Sequence, residues 1–528
     1  YLYPTNVPKR DYQYEIIASC LLDNTLVALP TGLGKTFIAG TVMLNFYRWF
    51  PRGKIVFLMP TKPLVTQQHE ACQTTCGIPS ADAATITGDD PEGWRDTAWS
   101  TKRVFYATPQ TFLIDMAKGR LDPADIVLVI VDEAHKASGN HSYVQCISYL
   151  QAVHPYFRIV ALTATPGRTT EKVQEVVDKL HISRIEIREA ESPDIAKYMF
   201  KKNINHHPIE LSAEFESLVT SLTELMEPLA RSISSTGLMR TPDSRYQLRF
   251  MKPFTALMAM NGMFADKSHA RLIGSAKQLY QLATALTHLT EYSLGMFFTA
   301  LKAINGSEQS SSKGKTAKKP GNRIQNNKVF REMYQNTQDL IESGGQHPKF
   351  AKVIQLLGDH LEAKRVGSQS GENSVTRCMI FCSFREGVNE LVEMLNKHPL
   401  IRAHKFVGRA QGKDVTDKGL TQKEQKTVID KFKKNDYNCL VATSIGEEGL
   451  DIGEVDFIII YNCPKTSIKA LQRIGRAGRK RDGHIHVLAT VGREDRNWDA
   501  AIFNHREIQS EIIIGANLEL YDDAPPLL

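Results

Sequence analysis

The 528-residue sequence predicts an α/β protein with two parallel-sheet lobes and an α-helical insert between them. Short apolar, β-branched runs alternate with amphipathic stretches in residues 1–190, and the same alternation returns in residues 345–500. This pattern is typical of parallel sheets covered by helices on both faces. Residues 191–344 show no clear strand pattern and form the predicted insert, and residues 501–528 form a C-terminal extension.

The individual strands are predicted from runs of four to six apolar residues. The first lobe has five such runs, at 26–29, 54–59, 103–107, 126–131 and 158–162. The second lobe has four, at 378–381, 439–442, 456–461 and 485–489.

The predicted insert combines helical spacing with a basic flank. Apolar residues recur at helical intervals in 211–230, with Glu214, Glu216, Glu224 and Glu227 on the water-facing side. Residues 231–280 contain eight basic side chains against two acidic ones. We interpret this flank as a candidate grip on nucleic acid, although any one of these residues fits an ordinary solvated face equally well. Residues 307–323 are rich in Ser, Gly and Lys and predict a flexible surface loop.

Composition narrows the classes of protein. With 42% hydrophobic and 23% charged residues, the chain resembles an ordinary globular protein and not a disordered one. No apolar run is long enough to span a bilayer, so we expect no membrane association. The chain opens on Tyr1 without an initiator Met, and we expect it to be part of a longer protein. The net charge of +7 permits a nucleic-acid partner without requiring one.

The eight cysteines lie mostly in apolar runs, which favours reduced, buried thiols in an intracellular compartment. Two pairs, Cys72/Cys76 and Cys378/Cys382, leave a four-ligand zinc site conceivable. The spacing within each pair is not the usual one, and the second pair flanks a predicted core strand. We therefore do not favour zinc.

The strongest motif is a glycine-bearing turn between the first strand and an apolar helix. Backbone N–H groups at such a junction bind phosphates. Lys35 would contact the β- and γ-phosphates of a nucleotide, and Thr36 would bind Mg²⁺. The first glycine of the usual motif is replaced by Leu29. The predicted phosphate-binding residues are Leu29, Pro30, Thr31, Gly32, Leu33, Gly34, Lys35 and Thr36.

An acidic pair follows the buried run 126–131. Parallel strands deliver such residues to the carboxyl edge of a sheet, where ligands bind. Asp132 is suited to hold Mg²⁺, and Glu133 to orient and deprotonate the attacking water. A helix-starting acidic cluster is the alternative, and the phosphate-binding turn makes it less favoured.

An arginine-rich run in the second lobe, residues 472–479, supplies positive charge. Its arginines are spaced by three on a predicted helix, and arginine fingers accelerate phosphoryl transfer by about 10³–10⁵-fold. A nucleic-acid or surface patch is the alternative interpretation. The candidate catalytic residues in this run are Gln472, Arg476 and Arg479.

These motifs occur in the order seen in superfamily 2 helicases and translocases. Further blocks of that order are residues 10–13, 60–65, 108–110, 163–165 and 443–453. More closely, the chain resembles the family of the Fanconi anaemia group M protein, its fungal orthologues and archaeal Hef. The resemblance is closest at residues 45–51, 60–68, 347–349 and 443–452, and it covers nearly the whole chain.

The resemblance implies RecA-like lobes and a role for each matching residue. Gln13, with Arg10, would bind adenine, Gly449 and Asp451 would face the nucleotide, and His135 would join Thr163 and Thr165 in linking hydrolysis to lobe movement. The implied nucleic-acid contacts are Thr61, Lys62, Thr87, Gly88, Thr108, Ser383, Arg385 and Thr443. The candidate contacts on the insert are Arg245, Arg249 and Lys252. Local caps or turns are the alternative for each contact.

The implied activity is ATP- and Mg²⁺-dependent 3′→5′ translocation on DNA by a DEAH-box enzyme that remodels forks, D-loops and junctions during repair in the nucleus. The chain is expected to be monomeric, with histone-fold and repair partners binding outside it. No Glu-Arg-Lys-x-x-x-Asp signature occurs, so nuclease activity is not predicted. An RNA-dependent ATPase of the RIG-I/Dicer type remains an alternative, although Ala134 stands where that group usually has Cys. A non-catalytic scaffold is a further alternative, disfavoured by the intact ATP motifs.

Overall fold

The structure is a computed structural model that describes most of the chain. The described residues are 1–167, 169–190, 192–240, 245–265, 267–306, 324–369, 376–408, 419–443, 452–453, 455–464, 466–478, 481–514 and 518–521. The predicted loop at 307–323 and the site candidates Gly449, Asp451 and Arg479 lie outside these residues. Among the described residues, no helix combines the length and apolar character needed to cross a membrane.

The first lobe is built on a parallel sheet in the order β3-β4-β2-β5-β6-β1-β7. Its strands are β1 (Thr25–Ala28), β2 (Lys54–Leu58), β3 (Ala83–Ile86), β4 (Val104–Ala107), β5 (Ile126–Val131), β6 (Arg158–Thr163) and β7 (Arg184–Ile187). Its helices are α1 (Asp11–Leu22), α2 (Lys35–Trp49), α3 (Lys62–Cys76), α4 (Glu92–Thr101), α5 (Pro109–Ala117), α6 (Ser142–Val153), α7 (Thr170–Leu180) and α8 (Pro193–Ala196). Separate apolar clusters cover the two faces of the sheet.

The second lobe is built on a parallel sheet in the order β10-β11-β9-β12-β13-β8. Its strands are β8 (Lys202–Ile209), β9 (Cys378–Phe381), β10 (Ala403–Phe406), β11 (Cys439–Ala442), β12 (Phe457–Ile460) and β13 (Gly483–Thr490). Its helices are α15 (Pro348–Gln369), α16 (Arg385–Leu395), α17 (Gln422–Lys433), α18 (Ser467–Ile474) and α19 (Arg493–Ile514). The two-lobe α/β fold is therefore confirmed.

The region between the sheets is largely helical and has its own apolar core. Its helices are α9 (Ala213–Ser234), α10 (Arg245–Leu248), α11 (Pro253–Ala265), α12 (Ile273–Glu291), α13 (Leu294–Gly306) and α14 (Lys328–Glu342). Short 3₁₀ turns lie at Ser80–Asp82, Pro123–Asp125, Ala134–Lys136, Lys267–Leu272 and Ile324–Asn326. The helix predicted at 211–230 is confirmed as α9, whose buried side includes Phe215, Leu222 and Met226.

One expectation about this region is wrong. Residues 191–344 were expected to lack strands, yet β8 pairs in parallel with β13 along its full length. β8 is a polar edge strand with four consecutive exposed residues, so it has no apolar run to indicate it.

The insert is fixed to the second lobe by buried polar contacts around the end of α12. Thr490 Oγ1 donates a hydrogen bond of 2.7 Å to the Thr290 carbonyl, and Arg493 Nη2 donates to Thr287 Oγ1 at 3.1 Å. The fully buried Lys349 of α15 forms an ion pair with Glu494, and its ammonium also donates to the carbonyl of Glu291, the last residue of α12, at 3.4 Å. Because buried polar groups need partners, these contacts define one relative position of the insert and the second sheet.

Candidate functional site

The phosphate-binding turn has the geometry that the sequence predicts. β1 ends at Ala28, and α2 begins at Lys35 immediately after two glycines with positive φ, Gly32 at 89° and Gly34 at 81°. A Cβ at Gly34 would lie 2.4 Å from Gln13 Nε2, so both conformation and space require glycine. No described side chain caps the N-terminus of α2, which leaves its first N–H groups suited to a phosphate.

Lys35 and Thr36 are both engaged by neighbouring protein groups. Lys35 Nζ donates to the Leu29 carbonyl at 2.7 Å, and so its ammonium lies over the turn that it is predicted to serve. Thr36 Oγ1 donates to Gln68 Oε1 of α3 at 2.8 Å. The sequence placed Gln68 in a family block but indicated no role for its side chain, because only the packing of α2 against α3 brings the two groups together.

The acidic pair lies at the carboxyl end of β5. Asp132 N donates to the Leu58 carbonyl at 2.9 Å, and only 8% of Asp132 is exposed. Burial and the adjacent Glu133 carboxylate raise the pKa of Asp132 from 3.8 to about 7, and the Lys35 ammonium partly offsets this increase. A cation beside this carboxylate would favour its ionised form, and carboxylate and hydroxyl oxygens are the ligands that Mg²⁺ prefers. The residues therefore fit the predicted metal site.

Glu133 connects the acidic pair to β6 through His135. Glu133 has a left-handed backbone conformation with φ 50° and ψ 48°, which is uncommon for a residue with a side chain. Its Oε2 lies 3.4 Å from His135 Nδ1, which in turn lies 3.2 Å from Thr163 Oγ1. Thr163 Oγ1 donates to the Thr165 carbonyl at 2.6 Å. The residues that the resemblance groups as a relay are thus in contact.

The predicted adenine-binding residues pack against the same turn. Gln13 Nε2 and Tyr12 Oη donate to the Leu33 carbonyl at 3.0 and 2.7 Å. Arg10 Nη1 donates to Tyr12 Oη at 3.2 Å, and its guanidinium lies over the ring of Tyr198. The contribution of Tyr12 was not predicted, because its spacing in α1 is equally that of a core residue.

The arginine-rich run reaches the first lobe, but it is not one continuous helix. α18 ends at Ile474, so Arg476 lies beyond the helix, and the prediction that the arginines of this run share one helix is wrong. After the helix, the N–H groups of Arg476 and Ala477 donate to the carbonyls three residues earlier, which forms two tight turns. Ala477 then pairs with Val455. Gln472 is half-buried in the last turn of α18, and Arg476 is buried.

The lobes meet beside the phosphate-binding turn. Thr31 Oγ1 donates to the Gly475 carbonyl at 3.0 Å, which places the residue before Arg476 directly on this turn. A cavity of about 420 Å³ between the lobes is lined by Pro30, Thr31 and Gly475, among other residues. Its lining is mostly apolar and does not include Lys35, Asp132 or Glu133, so this cavity lies beside the predicted phosphate site and is not that site itself.

The residues predicted to contact the nucleic-acid strand, here called the strand-contact residues, lie at the carboxyl edge of each sheet. Thr61, Thr87 and Thr108 follow β2, β3 and β4, which are adjacent strands, whereas the nucleotide residues follow β1, β5 and β6. In the second lobe, Ser383 and Thr443 follow the adjacent strands β9 and β11. The predicted nucleotide residues and the predicted nucleic-acid contacts therefore occupy separate halves of the carboxyl edge of the first sheet, here called the nucleotide half and the strand-contact half.

Several of these strand-contact side chains already have protein partners. Lys62 Nζ forms an ion pair of 2.5 Å with Asp89, in the loop that contains Thr87 and Gly88. Thr87 Oγ1 donates to Asp90 at 2.9 Å, and Thr108 and Thr111 share a hydrogen bond of 2.9 Å. Arg385 donates to the Gly408 carbonyl. These contacts position the loops that contain the predicted nucleic-acid contacts.

The basic flank of the insert is less positive than its own residues suggest. Arg245 forms an ion pair with Glu227, and Arg249 forms one of 2.5 Å with Glu216, both acids being on α9. The count of charged residues over 231–280 did not include these two acids, because they precede that range in the sequence. Packing places them on the same surface as the two arginines. Lys252 is exposed.

The cysteine pairs do not converge. Cys72 lies in a core of the first lobe, whereas Cys378 and Cys382 lie in a core of the second. Within the part of the chain that the structure describes, no three His, Cys, Asp or Glu side chains are grouped to hold a metal ion. Burial raises the pKa of Cys382 to about 11.

Comparison with known proteins agrees with this geometry. Residues 10–173 match the DEAD/DEAH box helicase family, and residues 349–481 match the helicase conserved C-terminal domain. The chain is 39% identical over 99% of its length to the ATP-dependent DNA helicase mph1 of Neurospora crassa, and 37% identical over its full length to fml1 of Schizosaccharomyces pombe. It spans 44% and 62% of those two proteins.

A solved structure shows the same architecture. The helicase domain of Hef from Pyrococcus furiosus superposes with a TM-score of 0.68 at 29% identity, covering 94% of this chain and 98% of that domain. The resemblance derived from the motifs is thereby confirmed. The chain therefore contains a DEAD/DEAH box helicase domain and a helicase conserved C-terminal domain, and it is homologous to the fungal proteins mph1 and fml1 and to the helicase domain of archaeal Hef.

Proposed function

We propose that this chain is the motor of an ATP-dependent DNA helicase or translocase that moves 3′→5′ and remodels branched DNA during repair in the nucleus. The observation that supports this most directly is the contact between Thr31 and Gly475. It joins the phosphate-binding turn of one lobe to the arginine motif of the other, as a motor driven by cleft closure requires. The family relatives named ATP-dependent DNA helicases favour DNA over RNA as the substrate.

In this proposal, different residues of the chain perform separate parts of ATP hydrolysis. The N–H groups at the start of α2 and Lys35 bind the phosphates, while Thr36 and Asp132 hold Mg²⁺, which neutralises phosphate charge when bound. Glu133 orients the attacking water and accepts its proton. Arg476 contributes positive charge from the second lobe, so the site is complete only when the lobes are together.

Strand movement would follow from the division of the sheet edge. The strand-contact loops of both lobes bind phosphates and sugars, which positions a strand without identifying its bases. Because the nucleotide half and the strand-contact half share one sheet, closure of the cleft shifts the loops of one lobe relative to the other. Reopening after hydrolysis then advances the protein along the strand.

The decisive experiment measures ATP hydrolysis with matched DNA and RNA forks. DNA forks should stimulate hydrolysis more than RNA forks do, and Lys35→Arg should abolish the stimulated rate. Stronger stimulation by RNA would favour the RIG-I/Dicer-type alternative, and hydrolysis unaffected by Lys35→Arg would favour a scaffold. Displacement of a labelled strand from 3′- and 5′-tailed duplexes tests the polarity.

A further inference from the structure

Asn462 lies where two segments of the second lobe meet the end of α12 in the insert. It follows β12 and is 2% exposed. Its carbonyl accepts a hydrogen bond of 2.6 Å from Arg473 Nη1. Its side-chain Oδ1 accepts one of 3.0 Å from the Ser383 N–H, and its Nδ2 donates one of 2.8 Å to the Glu291 carbonyl. One buried residue therefore contacts α18, the segment after β9 and the last residue of α12.

The contact with Arg473 leads to the nucleotide cleft. The carbonyl of Arg473 accepts a hydrogen bond of 3.2 Å from the N–H of Arg476, the candidate arginine finger. The guanidinium of Arg473 is itself buried and lies 5.3 Å from the ring centre of Phe381. The backbone at Arg476 is thus connected to Asn462 through one buried side chain, that of Arg473.

The two hydrogen bonds of the Asn462 side chain connect it to groups outside the cleft. Ser383 is an exposed strand-contact candidate, and Glu291 closes the helix that fixes the insert to this lobe. An amide with both groups buried loses stability if either partner moves away, because an unpaired buried donor or acceptor costs free energy. Ser383 and the insert are consequently held at one distance from each other and from α18.

We propose that Asn462 is a positioning residue that couples the arginine motif at the nucleotide cleft to the strand-contact segment at Ser383 and to the insert. The inference rests on the proposed function, because this coupling is measurable only in an ATPase that responds to DNA. Movement of α18 during closure of the cleft shifts Asn462, which then shifts the strand-contact segment and the insert together.

The test compares Asn462→Ala with Tyr461→Phe. Tyr461→Phe removes a hydroxyl that donates to the Tyr292 carbonyl, so it loosens the same end of α12 without altering the contacts of Asn462. The readout is the ratio of DNA-stimulated to DNA-free ATP hydrolysis, with the KM for ATP measured in both states. Asn462→Ala should lower this ratio about tenfold, a typical size for coupling between sites, and Tyr461→Phe should leave it near the wild-type value.

The outcomes separate the two proposals. A wild-type chain without DNA stimulation overturns the proposed function. A wild-type chain that responds to DNA, together with an Asn462→Ala variant of equal ratio, overturns only the coupling. Equal losses in Asn462→Ala and Tyr461→Phe also overturn it, since they indicate mere attachment of the insert. If Asn462→Ala does not fold, Asn462→Asp retains the acceptor for Ser383 and loses the donor to Glu291, and an unchanged ratio in that variant contradicts the coupling.

Discussion

The hydroxyl of Thr31 and the carbonyl of Gly475 form a hydrogen bond of 3.0 Å between the two lobes. The approach is so close that a Cβ at position 475 would lie 2.3 Å from Thr31 Oγ1. Gly475 has a φ of −67°, which any residue adopts, so space and not conformation requires glycine at this position. The nucleotide cleft therefore depends on a glycine for a steric reason that involves both lobes.

Gly475→Ala should separate the lobes beside the phosphate-binding turn and lower kcat/KM for ATP by at least about tenfold, because small misplacements of catalytic groups are costly. Steady-state ATP hydrolysis with saturating DNA measures the effect. Gly274→Ala is the matched control, since a Cβ there meets no atom within 4 Å. Wild-type kcat/KM in Gly475→Ala would show that the contact is absent from the working state.

The fold could be predicted where strands are central and could not where they are at an edge. All nine predicted strands are present, and the four that were missed are β3, β7, β8 and β10, which form the edges of the two sheets. A central strand such as β9 is buried on both faces and has a continuous apolar run. An edge strand such as β8 pairs on one side only and has no such run.

The site could be predicted to the extent that it depends on local sequence. The turn before α2 and the acids after β5 each belong to one strand and one loop, so their motifs are sufficient to locate them. Gln68, Gly475 and Asn462 depend on contacts between separate elements, which spacing along the chain does not indicate. The pairing of Arg245 with Glu227 was missed for the same reason.

Glu133→Gln should reduce kcat by about 10²–10⁴-fold, the usual contribution of a general base, while nucleotide still binds. The substitution keeps the size of the side chain and its place beside His135 but removes the proton acceptor. Single-turnover hydrolysis and the affinity for a fluorescent nucleotide separate chemistry from binding. Glu171→Gln, on the exposed first turn of α7, provides a control for loss of one negative charge. Retained hydrolysis in Glu133→Gln would exclude Glu133 as the base.

Acid should destabilise the fold partly through His347. This side chain accepts a hydrogen bond from the Lys349 N–H at Nδ1 and lies 3.2 Å from the Thr290 carbonyl at Nε2, so its partners require the neutral form. Burial and the nearby Lys349 lower the pKa of His347 from 6.5 to about 3. Between these values the unfolded chain binds a proton that the folded chain excludes. The free energy of unfolding is therefore fully retained above pH 6.5 and falls as the pH decreases below it.

His347→Gln removes this titration and keeps one donor and one acceptor. Thermal unfolding between pH 8 and about pH 5 should show a shallower loss of Tm in the variant than in the wild type. Part of the loss should remain, because burial also lowers the pKa values of His360 and His486 to about 4. The Tm at pH 8 shows whether the variant is folded, and an identical pH dependence in both proteins would contradict the assignment.

The ion pair between Arg245 and Glu227 makes a charge-matched test of the insert possible. Arg245→Ala removes one of the two arginines paired with Glu227 and leaves Arg231 at 2.6 Å, so it makes this surface less positive and should weaken binding to a DNA junction more than binding to a single strand. Arg245→Ala combined with Glu227→Ala restores the net charge and should recover most of the junction affinity. Binding measured over a range of salt concentrations shows whether the number of neutralised phosphates has changed. Failure of the double variant to recover would instead indicate direct contact between Arg245 and DNA.

The end of the chain should hold the lobes near each other before nucleotide binds. α19 begins in the second lobe, and near its end Ile512 packs against Val173 of α7 in the first. Beyond it, Glu519 and Gln174 exchange two hydrogen bonds of 2.8 Å, and Tyr521 N donates to the Ile182 carbonyl at 2.9 Å. These contacts span the cleft on a path separate from that of Thr31 and Gly475.

Deleting residues 515–528 removes the bonds to Gln174 and Ile182 and should increase the radius of gyration of the nucleotide-free protein in small-angle X-ray scattering. Bound nucleotide supplies contacts of its own to both lobes, so the difference should shrink when a non-hydrolysable ATP analogue is added. Phe503→Ser changes an exposed residue on the same helix and should leave the scattering unchanged. If the shortened chain scatters like the full one without nucleotide, the cleft is held by the Thr31 contact and not by this segment.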